Sequence, residues 1–206
     1  MPGPGHWSRV AVHLTFDDGP DPRWTPRVLE VLAEAGARAT FFVLGARIAQ
    51  APEPMLRAVA EGHEIGLHGD RHRRHSELAR DELARDTERA LGRLASLGVH
   101  PARWRAPWGA ETADTRSVAA ELGLELVGWT LDTHDWRGDT AAQMYVRCAP
   151  ALAESAVVLM HDSIGPGARR KDCEATARLA AGLIRRARRL DLCLEPLALR
   201  AQAMVA

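Results

Sequence analysis

Seven short apolar runs alternate along the chain with helix-like patterns, and this alternation limits the fold more than any other feature. The strand-like runs cover residues 10–16, 39–44, 64–68, 103–106, 124–130, 156–161 and 191–196. Helical patterns lie between them at 25–35, 53–61, 76–97, 112–122, 140–153 and 173–190. Strands separated by helices pair in parallel through right-handed crossovers, so the pattern predicts an α/β fold with a parallel sheet. Pattern alone does not separate an open sheet from a barrel. The chain has 206 residues, 46% of them hydrophobic, which suits one sizeable core. A single domain over residues 1–206 is therefore expected.

Composition excludes several classes of function. Lys plus Arg and Asp plus Glu both number 27, giving zero formal net charge, so no nucleic-acid surface is indicated. The arginine-rich stretch 185–189 sits among leucines and alanines and reads as a solvated helix face. Cys148, Cys173 and Cys193 cannot all pair within one chain and fit no zinc ribbon, which suggests a reduced compartment. Residues 1–9 contain no apolar signal-peptide core, and no run has the length of a membrane span. As written, the sequence predicts a cytoplasmic protein, with secretion only if an upstream segment is missing. No protein partner is indicated.

Chemistry concentrates in two places. Thr15 to Pro20 read TFDDGP, directly after a strand-like run. A strand that ends in adjacent acids and a Gly-Pro turn delivers two carboxylates to a sheet edge. Burying such a pair is costly unless a bound metal compensates one and a basic neighbour the other. About fifty residues later, His68 and His72 stand four apart, so one turn can aim both imidazoles the same way. Two histidines and one carboxylate suit zinc with an open coordination position, with other divalent metals left open. His63 and His75 flank the pair, so spacing alone does not fix the ligands.

Five motifs in order make the chain resemble the polysaccharide deacetylases of the NodB-homology type, carbohydrate esterase family 4. They are TFDDGP; His68 with His72; Arg105-Ala106-Pro107-Trp108-Gly109; Asp132-Thr133-His134-Asp135-Trp136; and Leu159-Met160-His161-Asp162. The resemblance implies an irregular, incomplete (β/α) barrel of about seven parallel strands. It implies that Asp18, His68 and His72 hold a divalent metal, most simply zinc, with cobalt, nickel or manganese as alternatives. Asp17 would be the general base, oriented by Arg105, and His161 the general acid, paired with Asp135. The Trp108 backbone N–H would face the developing oxyanion, with Pro107 beside it, while Trp136 and Leu159 would wall the acyl pocket. Trp129 reads as a core residue. Two positions depart from the family pattern: Gly69 stands where Ser or Thr is usual, and Arg73 where Pro is usual.

The expected reaction is hydrolysis of an acyl group, chiefly N-acetyl, from an amino sugar. A metal lowers the pKa of bound water towards about 7 and polarises the acyl oxygen. The amine leaves poorly unless protonated, which would be the task of His161. Two alternatives accompany this reading: a cytoplasmic deacylase of a small-molecule amide, and a binding module that holds an acylated sugar without cleaving it.

Overall fold

In the computed structural model of the chain, residues 11–197 are described; the readings made above for residues 1–10 lie outside them. The order is β1 (Ala11–Asp17), α1 (Trp24–Glu34), β2 (Thr40–Val43), α2 (Gly45–Ile48), α3 (Glu53–Ala60) and β3 (Glu64–Leu67). There follow α4 (Arg80–Ala95), β4 (Arg103–Trp104), α5 (Ala113–Glu121), β5 (Glu125–Leu126), β6 (Leu131–Asp132), α6 (Ala141–Cys148), β7 (Val157–His161), α7 (Glu174–Arg189) and β8 (Cys193–Leu194).

Every strand pairing is parallel, in the order β5-β4-β3-β2-β1-β7-β6, with β8 paired to the start of β1. The edge strands β5 and β6 do not pair with each other, so the sheet curls without closing. This is the incomplete (β/α) barrel that the resemblance implied.

Alternation along β1 divides the two faces. Val12, Leu14 and Phe16 turn outward and share one apolar cluster with Val28 and Leu32 of α1 and Leu183 of α7. His13, Thr15 and Asp17 point the other way, and they are buried too. On the inner face, Phe42 of β2, Val157 of β7 and Leu197 form a second, smaller cluster. The inner face is thus mixed: Phe42 stands opposite Asp17, while Thr40 and Arg103 both donate to Glu64 nearer the strand starts.

Three elements differ from the sequence expectation. The run 124–130 does not form one strand: β5 pairs with β4, while β6 pairs with β7 on the opposite edge. Between them the carbonyls of Val127 and Gly128 accept from the Arg105 guanidinium instead of extending a ladder. The pattern 76–97 breaks at Leu78, which is extended, so a short 3₁₀ turn (His75–Glu77) precedes α4. The pattern 140–153 ends early because Pro150 cannot donate to a continuing helix, and a 3₁₀ turn (Ala149–Ala151) follows α6. All three cysteines are free. Among the described residues, no helix is long and apolar enough to cross a membrane.

Candidate active site

Strand register brings the sequence-distant acids and bases together. Asp17 at the end of β1 lies opposite His161 at the end of β7. Leu67 of β3 lies opposite Trp104 of β4, so the next residues, His68 and Arg105, emerge side by side. Asp132 ends β6 opposite Leu159 of β7. All of these are C-terminal strand ends, the face where the loops of such barrels gather their chemistry.

Arg105 is the hub. It is 1% exposed, and its Nη1 donates to Asp17 Oδ1 at 2.8 Å and to Thr15 Oγ1 at 2.7 Å. Nη2 donates to the Gly128 carbonyl, the Nε to that of Val127, and the guanidinium lies 4.1 Å from the centre of the Phe42 ring. A buried cation with this many partners is fixed in place, and it fixes Asp17 in turn. Burial raises the Asp17 pKa, and Arg105 only partly offsets that rise. Burial thus outweighs the guanidinium, which by itself would lower the basicity of Asp17.

Asp18 turns away from Asp17 because its backbone is left-handed, φ 75°. Its Oδ1 lies 3.3 Å from His72 Nε2 and 3.6 Å from His68 Nε2, and it is buried without a hydrogen-bond partner. His68 Nδ1 donates to the Arg105 carbonyl at 2.8 Å, which leaves Nε2 with its lone pair free. Burial lowers both imidazoles to about 3, so they are neutral, and raises Asp18 to about 6. The three donor atoms lie within 4.8 Å of one another. A tetrahedral ion with bonds of 2.0–2.2 Å sets neighbouring donors about 3.4 Å apart, so these residues fit a divalent cation. Gly165 closes on Asp18 so tightly that a Cβ there would collide with Oδ2.

On the other side, His161 Nδ1 meets Asp135 Oδ1 at 2.7 Å, and the His161 backbone N–H donates to Oδ2. Burial alone would lower the imidazole pKa, but the Asp135 carboxylate, with smaller contributions from Asp18 and Asp17, carries the group up to about 9. Asp135 itself is held far below the usual carboxylate range: burial works against this, and the His161 charge and hydrogen bond outweigh it. Asp135 Oδ2 also accepts from Arg170 Nη1 at 2.6 Å and from Thr176 Oγ1 at 2.7 Å. Arg170 further donates to the His161 and Ser163 carbonyls. Sequence reading missed Arg170, because a run of Arg169-Arg170-Lys171 looks like any solvated basic loop.

A cavity of about 240 Å³ joins the two halves. Asp17, Asp18, His68, His72 and His161 line it, with Trp108, Trp136 and Leu159. Trp129 lines it as well, contrary to its reading as core, because Gly109 leaves room for its ring. Pro107 is buried at the start of the Pro107–Gly109 turn and lies outside the lining, so its part is to set that turn. Trp108 sits at φ 55° with its ring 4.0 Å from that of His72, and among the described residues its N–H donates to no backbone carbonyl. Left-handed backbone at Asp18, Trp108 and His134 costs about 1–3 kcal/mol each; the first two line this cavity, and His134 directly precedes Asp135.

A family model described as polysaccharide deacetylase matches residues 7–127, more than half of the chain. The chain belongs to this family. It is 39% identical over 173 residues to a chitooligosaccharide deacetylase of Bradyrhizobium sp. (strain ANU 289), covering 82% of this chain and 78% of the relative. It is 35% identical to the peptidoglycan-N-acetylglucosamine deacetylase PgdA of Listeria monocytogenes, covering 73% of this chain but 32% of that longer protein. Among solved structures, the peptidoglycan deacetylase PdaC of Bacillus subtilis superposes with a TM-score of 0.84 at 25% identity, over 95% of this chain and 91% of that one. As a member of the polysaccharide deacetylase family, the chain is an enzyme of the deacetylase class.

Proposed function

We propose that this enzyme removes the N-acetyl group from an acetamido sugar, using a divalent cation held by Asp18, His68 and His72. The observation that carries the reading is that donor atoms of Asp18, His68 and His72 lie within 4.8 Å of one another and that these residues line one cavity with Asp17 and with His161, whose Nδ1 meets Asp135. The relatives' action on chitooligosaccharides and peptidoglycan N-acetylglucosamine supports the substrate class. When bound, the ion supplies Lewis acidity towards the acyl oxygen and lowers the pKa of water, and zinc suits the donors best.

The chain's own residues do the rest. Asp17 takes a proton from the attacking water, and burial makes it a stronger base than an ordinary carboxylate. Arg105 keeps that carboxylate aimed without neutralising it. The Trp108 N–H donates to the oxyanion as it forms. His161 enters the reaction protonated at neutral pH and gives its proton to the departing amine through Nε2, since Nδ1 is held by Asp135. Trp136, Trp129 and Leu159 exclude water around the acyl group.

An acyl panel tests the reading. Release of the carboxylic acid (acetate from acetyl groups, formate from formyl groups) should be measured from N-acetyl-chitooligosaccharides, peptidoglycan glycan strands and small N-acyl and N-formyl amides. Release from the amino-sugar substrates is expected. Release from the small amides alone would replace the sugar reading with that of a metabolite deacylase. Metal-replete protein that hydrolyses no member of the panel would make it a binding module.

A further inference from the structure

The two histidines are not held alike. The His68 ring is fixed by the Arg105 carbonyl, whereas His72 Nδ1 is buried with no hydrogen-bond partner from another residue. Metal-ligating histidines ordinarily donate their second nitrogen to a carboxylate or carbonyl, which fixes ring and tautomer. The position of His72 must therefore come from the loop that carries it, and from the Trp108 ring packed against it.

That loop is held from outside the site. The Gly69 and Asp70 carbonyls accept from the backbone N–H groups of Gly45 and Ala46 at the start of α2, at 3.0 and 2.9 Å. The Asp70 N–H donates to Asp86 Oδ2 of α4 at 2.8 Å. The Asp70 carboxylate, 1% exposed, turns back onto α4, accepting from Arg93 Nε at 2.9 Å and facing Arg89 Nε at 3.5 Å. Arg89 Nη2 also donates to Asp86 Oδ1 at 3.3 Å. Asp86, Arg89 and Arg93 are spaced three and four apart and so share one face of the helix. Asp86 is itself 4% exposed, an acid on a face otherwise made of Leu83, Thr87, Ala90 and Leu94. The Asp70 and Asp86 carboxylates are thus buried and mutually bridged. Gly69 sits at φ 99°, where its missing Cβ would lie 3.3 Å from Asp86 Oδ2.

We propose that Asp86 and Asp70 are positioning residues for the metal site. Together with Arg89 and Arg93 they form a clamp on α4 that sets residues 69–71, and through them His72, in the absence of any hydrogen bond to the His72 ring. The clamp takes over at Gly69 the steadying that a local hydroxyl would otherwise give. This rests on the metal reading of the proposed function.

The test is the affinity of metal-free protein for Zn²⁺ and Co²⁺, measured by chelator competition on wild type, Asp86→Ala, Asp86→Asn and Asp70→Asn. Asp86→Ala is expected to weaken metal binding by about 10- to 100-fold, the usual cost of losing an outer partner of a ligand. With metal at saturation, kcat should return close to wild type with an unchanged pH profile. Asp86→Asn, which can keep an acceptor for the Asp70 N–H, should fall between the two and serves if Asp86→Ala does not fold. Variants with wild-type metal affinity and only a lower Tm would overturn the proposal, reducing the clamp to a packing element. Wild-type protein that takes up neither ion would instead sink the metal reading, and this inference with it.

Discussion

Replacing Asp17 by Asn is expected to lower kcat by about 10²- to 10⁴-fold, the usual worth of a general base, with metal content unchanged. An amide can still accept from Arg105 and fill the same space, but it cannot take a proton from water. The geometry gives the prediction a sharp alternative. Asp17 Oδ2 lies 3.9 Å from His68 Nε2, whereas Asp18 Oδ1 approaches both histidines more closely. Metal analysis alongside steady-state kinetics separates the roles. Loss of the ion together with turnover would make Asp17 a ligand, and the base would have to be sought elsewhere.

Asp135→Asn should have an effect of similar size, with a different signature. In the proposed mechanism His161 is the proton donor and must be protonated, so activity should fall as pH rises through its pKa of about 9. Burial pushes the imidazole down and the Asp135 carboxylate pushes it up. Without the Asp135 carboxylate burial is opposed only by Asp18 and Asp17, so the pKa falls from about 9. The alkaline limb of kcat/KM should therefore move acidward, and kcat at pH 7.5 should fall by roughly 10²- to 10⁴-fold. An alkaline limb that stays near pH 9 in this variant would remove His161 from the acid's role.

Local chemistry was legible in the sequence where the fold works locally. Asp17 and Asp18 could be read because a strand end and a Gly-Pro turn are written in consecutive residues. His68 and His72 stood out by their four-residue spacing, and the family resemblance singled them out from the flanking His63 and His75. The parallel sheet followed from alternating strand and helix patterns, while its curl into an incomplete barrel came from the family resemblance. What could not be read depends on contacts distant in sequence. Arg170 and Arg93 are ordinary surface-type residues until the fold sets an acid against each. Asp86 breaks the apolar face of its helix, which is a visible mark, but nothing local says that its partner is the Asp70 amide. Trp129 was assigned to the core on size, and only the space left by Gly109 brings it to the cavity wall. The split of residues 124–130 has the same origin, because the carbonyls that would continue the strand serve Arg105.

The whole account turns on whether Asp18, His68 and His72 grip an ion that the reaction needs. Metal content per chain, followed by acetate release from N-acetyl-chitooligosaccharides before chelation, after chelation and after Zn²⁺ or Co²⁺ is restored, asks this directly. One ion per chain is expected, with release abolished by the chelator and recovered with the metal. Undiminished release from protein stripped of metal would contradict the account.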